Sequence, residues 1–214
     1  MKSDGNEQAD ALVLDADGEC RERRIVGARH GGDDFRRARL VDVELVRCDL
    51  SGCDFGEAMW QRVRVVDCRA SAIELPQANL RDVAFVDCKL DDANMRLARL
   101  REVRFTSCVL TGAELVAAQL DNVGFGGSDL TVADFSQARC AAVDLRDARL
   151  GGLKAIEALR GATIALEQVV TLAPALALAL GLRIHTEDEP VPLPAPVAEP
   201  RLPESDRRDD PAHR

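Results

Sequence analysis

An apolar side chain recurs at every fifth residue of this chain, without a gap, from residue 35 to residue 150. In the stretch VRFTSCVLTGAEL (103–115), Phe105, Leu110 and Leu115 hold that position, and Val103, Cys108 and Ala113 stand two places before them. An α-helix repeats near 3.6 residues and a strand near 2, so neither explains a period of five. Among the central positions only Ala70 and Cys140 are small.

A second period of twenty lies on the first. Two places before each centre, one series runs Ala38, Ala58, Ala78, Ala98, Ala118, Ala138, and another Val43, Val63, Val83, Val103, Val123, Val143. A third runs Cys48, Cys68, Cys88, Cys108 and then Ser128 and Ala148. Repeats of this kind mark stacked architectures. Four pentapeptides make one square coil, and residues twenty apart lie one above another. Hydrogen-bonded coils rise about 4.8 Å each, so six coils make a rod roughly 30 Å long. The centre and the small residue before it point inward, and the other three positions face water. Burial of each Leu or Phe contributes on the order of 1.5–3 kcal/mol.

The motifs ARL, CDL, CDF, ANL, CKL, AEL, AQL, SDL, ADF and VDL carry this pattern. They resemble the A-(D/N)-L-x-x repeat of the pentapeptide-repeat proteins, over about two-thirds of the chain. The resemblance implies an all-β fold, a right-handed quadrilateral parallel β-helix, here with a short C-terminal α-helical cap. Among its members the chain looks most like the mycobacterial-type gyrase-protecting, quinolone-resistance proteins, because no long projecting loop interrupts the pentapeptides.

Composition narrows the class further. Aromatic residues are 3% of the chain, with one Trp and no Tyr, so the interior must be mostly Leu, Val, Ala and Cys. The net charge of −9 argues against generic nucleic-acid binding. No run of 18 apolar residues exists and the first ten residues carry no signal-like segment, so a cytoplasmic protein with reduced thiols is expected.

The expected organisation has four parts: an off-register N-terminal segment and partial cap (1–32), the repeat β-helix (33–160), a C-terminal helical cap (161–184) and a disordered Pro-rich tail (185–214). In the cap, Leu166, Val169, Val170 and Leu172 fall near helical spacing. Pro174 is expected to open a second short helix, and Gly181 to stop it. The cap has apolar surface to spare, with Val170, Leu176 and Leu180 left facing outward. That surplus predicts a homodimer through this end, and the resemblance points the same way, since gyrase-protecting members dimerise through C-terminal elements. The alternative is a cap that folds flat on the last coil.

No catalytic site emerges. His30, His185 and His213 lie off the expected rod, and no Ser/His/Asp or Cys/His set can be assembled. The cysteine ladder places its side chains parallel, whereas tetrahedral zinc needs converging ligands; buried cysteine behaves as a small hydrophobe. No cofactor and no metal are expected. A rod filled with side chains has no cleft and works through its surface. Stepping by twenty along one face gives Asp34, Asp54, Glu74, Asn94, Glu114 and Asp134, an acidic stripe interrupted once. Stacked like charges repel, and a rigid row of them imitates a phosphate backbone. The resemblance implies the same function: a non-enzymatic DNA mimic that binds DNA gyrase or another type II topoisomerase and blunts quinolone-type poisons. Two readings stand against it. Asp or Asn before the centre is also ordinary turn chemistry, and residues 33–160 carry 21 acids against 18 bases, with Arg96, Arg99, Arg101 and Arg104 forming a basic band. The alternative is a rigid scaffold for an unrelated protein partner.

Overall fold

The computed structural model describes residues 17–182. The first sixteen residues and the expected tail (185–214), with His185 and His213, lie outside them. Seven strands form one parallel sheet in chain order: β1 (Glu19–Val26), β2 (Arg39–Val46), β3 (Met59–Val66), β4 (Asn79–Val86), β5 (Arg99–Thr106), β6 (Gln119–Asp121) and β7 (Arg139–Ala141). Every strand pairs with the next at an offset of twenty residues, as Val83 does with Val103 and Phe85 with Phe105. Isolated bridges continue the same offset on the other faces. This is the expected right-handed quadrilateral parallel β-helix.

The period of five has a backbone cause. From Asp17 to Gly152, every fifth residue adopts a left-handed conformation with φ between about 50° and 80°. Each of these residues turns the chain through one corner of the square. Glycine does this at no cost, and other L-residues at about 1–2 kcal/mol. The corners include six glycines, yet most are Asp, Arg, Glu, Gln or Ala. Stacking of the coils must therefore offset a repeated local penalty. Val132, with φ 56°, is the one β-branched corner.

The interior is filled as the spacing predicts. Phe35, Leu50, Phe55, Trp60, Phe105 and Leu110 are all buried. Rings stack along the lumen: Phe35 on Phe55 at 4.9 Å, then Phe85, Phe105 and Phe125 at 5.0 and 5.1 Å. Trp60 bridges the two groups, edge-on to Phe55 and stacked at 6.0 Å on Phe85. Its indole Nε1 is the one buried side-chain polar atom without a partner among the described residues.

The rod begins earlier than the sequence motifs suggest. β1 pairs with β2 through Cys20–Leu40 and Ile25–Leu45, so Cys20, Ile25 and His30 continue the central series below Phe35. The boundary at residue 33 and the placement of Cys20 and His30 off the rod are thus corrected: charge-rich motifs such as CRERR hide the register, whereas the corners at Glu22, Gly27 and Gly32 keep it. His30 is buried, with Nδ1 2.9 Å from Asp33 Oδ2 and its ring edge-on to Phe35.

At the other end the register slips by one. Lys154 still pairs with Asp134, but Thr163 pairs with Asp144, nineteen residues away. The corner due at residue 157 falls at Ala155, and a 3-10 turn (Ile156–Leu159) follows. One helix, α1 (Gln168–Ala179), then crosses the end of the rod. Pro174 lies inside α1 instead of opening a second helix, at the cost of one main-chain hydrogen bond. Gly181, at φ 71°, ends the helix as expected. Among the described residues no helix is long and apolar enough to cross a membrane.

Candidate interaction surfaces

Coil stacking places the acidic stripe as predicted. Asp34, Asp54, Glu74, Asn94, Glu114 and Asp134 bridge in sequence up one face, and Lys154 ends the row. Local bonds account for much of it. The Oδ1 of Asp34 accepts from the Arg36 amide at 3.0 Å, that of Asp54 from the Gly56 amide at 2.8 Å, and that of Asp134 from the Ser136 amide at 2.8 Å. The same bond recurs on other faces, from Ser51 to Asp49 and from Thr131 to Asp129. An Asp or Asn before the centre thus closes an Asx turn onto the residue after it.

Cations answer most of the stripe. Arg36 Nη2 lies 2.7 Å from Asp34, and its hydrogen bonds hold that carboxyl down at about 2. The same guanidinium stands 3.7 Å from Asp54. Arg96 lies 3.2 Å from Glu114, and Lys154 3.9 Å from Asp134. Bonds from Ser136, with Lys154 beside it, hold the Asp134 carboxyl below its usual range. Glu74 differs. It accepts from Asn94 Nδ2 at 2.5 Å and has no cation within ion-pair distance among the described residues. It is also followed two places on by Pro76, which has no amide to donate. The stripe is therefore most open around Glu74.

Three arginines of the basic band, Arg96, Arg101 and Arg104, reach neighbouring coils. Arg101 reaches Asp121 at 3.6 Å, and Arg104 donates to the carbonyl and side chain of Asn122. Similar inter-coil pairs join Arg37 to Asp17 at 2.6 Å and Arg24 to Glu44 at 2.9 Å. Each exposed pair contributes little alone.

The C-terminal end carries the second surface. Its key residue is one that sequence reasoning missed. Gln168 is buried, and its Nε2 donates at 2.7 Å to the carbonyls of Leu145 and Ala148. Its Oε1 accepts from the Ala165 amide at 2.7 Å. One amide side chain thus stands in for the coil that would come next. With Leu172, one turn further on, it is the buried part of α1. Val170 and Leu180 face outward, 80% and 74% exposed. Leu176 lies at the edge of an apolar groove of about 310 Å³, with Ile156, Leu159, Ala179 and Leu180.

The cysteine ladder has a main-chain role. At most corners the amide two places before a centre closes onto the previous centre, as Cys53 does to Leu50 and Ala58 to Phe55. At the Cys48 and Cys108 corners that bond is not made. The Cys48 amide donates to Cys68 Sγ at 3.2 Å, and the Cys108 amide to Ser128 Oγ at 3.1 Å. The side chain of one rung caps the amide of the rung below. Cys53, outside the ladder, is simply buried, which pushes its thiol up to about 11.

Comparison with known proteins agrees with this geometry. A family model described as a pentapeptide repeat region matches residues 38–105, and one described as pentapeptide repeats (8 copies) matches 113–152, together just over half of the chain. No curated protein matches in sequence. Among solved structures, a trypsin-treated form of QnrB1, a plasmid-mediated fluoroquinolone resistance protein, is 20% identical with a TM-score of 0.50. That match covers 83% of this chain and 98% of QnrB1. HetL, a protein involved in heterocyst differentiation regulation from the cyanobacterium Nostoc sp. strain PCC 7120, is 19% identical over 74% of this chain and 91% of its own, with a TM-score of 0.30. At such identities the likeness is one of fold. With its unbroken corners at every fifth residue and its rungs at every twentieth, the chain belongs to the pentapeptide-repeat family.

Proposed function

We propose that this protein is a non-enzymatic DNA mimic that binds DNA gyrase or a related type II topoisomerase and protects it from quinolone-type poisons. The observation that carries this reading is the row of carboxylates held one coil apart along a single face of a rigid rod. Its spacing comes from the backbone, so a partner meets a preformed pattern and no ordering cost falls on the rod. Glu74, the stripe carboxylate with no cation in ion-pair distance among the described residues, forms the contact centre, with Asp34, Asp54, Glu114 and Asp134 extending it. The protein acts as a homodimer through α1, because Leu176 and Leu180 line an apolar groove at the end of the rod and Val170 stands exposed on the same helix. Two rods joined end to end double the length of the acidic face.

A second reading is a scaffold for another protein partner. It is favoured by the Asx turns and ion pairs that occupy most stripe carboxylates. Supercoiling and quinolone-stimulated cleavage by purified gyrase separate the two. Under the first reading, micromolar protein inhibits or protects the enzyme, and the combined Glu74→Gln, Glu114→Gln and Asp134→Asn variant does so at least tenfold less well. A wild-type protein without effect on gyrase leaves the scaffold. For the dimer, Leu176→Asp with Leu180→Asp yields a monomer in sedimentation velocity; a monomeric wild type removes that part of the reading.

A further inference from the structure

We propose that the thiol ladder Cys48–Cys68–Cys88–Cys108 is a site for soft monovalent d10 metal ions, Cu(I) above all, each held linearly between two stacked sulfurs. Val46 pairs with Val66 and Asp49 bridges to Arg69, so Cys48 and Cys68 lie between in-register neighbours. The same flanking pairs recur for Cys68 with Cys88 and Cys88 with Cys108. Each sulfur adopts one repeated pose beside the carbonyl two residues before it, at 3.5 Å for Cys48, 3.3 Å for Cys68, 3.2 Å for Cys88 and 3.4 Å for Cys108. Equivalent poses on equivalent rungs put the sulfurs one coil apart, about 4.8 Å. A zinc–thiolate bond is about 2.3 Å, and two metal–sulfur bonds of that order in line span roughly 4.6 Å. The spacing therefore suits an ion on the stacking axis with two ligands opposite each other.

Geometry and charge select the ion. Among the described residues no three His, Cys, Asp or Glu side chains converge as a tetrahedral or octahedral ion requires. Thiolates prefer soft ions, Cu(I) in particular. A sulfur cannot bond two ions in line, so alternate gaps fill: Cys48–Cys68 and Cys88–Cys108 become four thiolates holding two ions; the four protons leave to solvent, no electron moves, and the filled ladder carries two net negative charges. The Cys48 amide already points at Cys68 Sγ. Cys48, itself buried, forms part of the wall of a polar cleft of about 640 Å³ with Arg29, Arg47, Asp49, Asp67 and Arg69. Amide capping alone does not explain the residue type, because Ser128 performs it with a hydroxyl on the next rung.

The test is anaerobic addition of excess Cu(I) as its acetonitrile complex to the full-length protein, followed by desalting, metal analysis and X-ray absorption. The expected result is about two copper ions per chain with two sulfur neighbours each, and no zinc retained in a parallel sample. Cys68→Ser with Cys88→Ser leaves no adjacent thiols, keeps hydroxyls to cap the amides, and is expected to retain none. Cys48→Ser, the milder variant, is expected to retain about one, and Cys53→Ala about two. Circular dichroism confirms that each sample remains folded. Less than about 0.3 copper per wild-type chain, or equal retention by the wild type and the Cys48→Ser variant, overturns the proposal.

Discussion

The coils up to Thr106 and those beyond it share one register but close their corners differently. In the first group the strands run eight residues, and at the Cys48 corner the amide is capped by the rung above. In the second group β6 and β7 shrink to three residues. There the amides of Ser128 and Ala148 bond within their own coil, to Phe125 at 3.1 Å and Leu145 at 3.1 Å. The change falls at Gly126–Gly127, where Gly127 takes φ 65° and a tight turn replaces the end of the long strand. The comparison explains why the ladder stops. A capping side chain is required only above an open corner. On this face Ser128 caps the last open one, and Ala148, above a closed corner, has nothing to cap.

The largest way to break this arrangement is to cut the ring stack that joins the two groups. Phe105→Ala removes a ring held between Phe85 and Phe125. It should cost about 3–5 kcal/mol in urea unfolding. A loss below about 1 kcal/mol would mean that the stack does not couple the groups. Next in size is a paired test of the capping rule. Ser128→Ala strands the Cys108 amide and should cost about 1–3 kcal/mol, whereas Ala148→Ser should give no stabilisation from capping. Equal effects on the two rungs would dismiss the distinction between open and closed corners.

A smaller effect of opposite sign is expected at Val132. Its β-branched side chain occupies a left-handed corner, so Val132→Gly should stabilise by up to about 1 kcal/mol, read as a higher Tm. Loss of its contact with the Gly152 corner sets the upper limit. The smallest effect concerns pH. Arg146 side-chain and backbone bonds hold Asp144 down at about 2, as Arg36 does Asp34. A depressed carboxylate contributes stability that is present above its unfolded value near 4 and is lost as pH falls through the folded value. Acid unfolding should therefore steepen between about pH 4 and pH 2, and Asp144→Asn should flatten that slope slightly. Both carboxylates are exposed, so the change is small.

Much of the candidate stripe could be read in advance, because a period of twenty names the residues that share a face. What could not be read was how open each carboxylate is. Asp34 and Glu74 look alike in the repeat, yet one lies under Arg36 and the other has only Asn94. Gln168 was equally silent. No pattern identifies an amide that bonds to Leu145 and Ala148, since the end of the rod exists only once the coils are stacked. Likewise the N-terminal coil escaped notice: its centres Cys20 and His30 are untypical, and its register is kept by backbone corners.

By itself the sequence determined the periods, and with them the square section, the inward and outward positions and the neighbours twenty apart. Those follow because side-chain volume must alternate to fill a narrow lumen, a requirement written at every repeat. The tertiary structure alone decided where the rod begins, where it slips by a residue, which corners are open and which charges are paired. These depend on carbonyls, amides and guanidiniums of different coils meeting in space, and that meeting leaves no periodic mark on the chain.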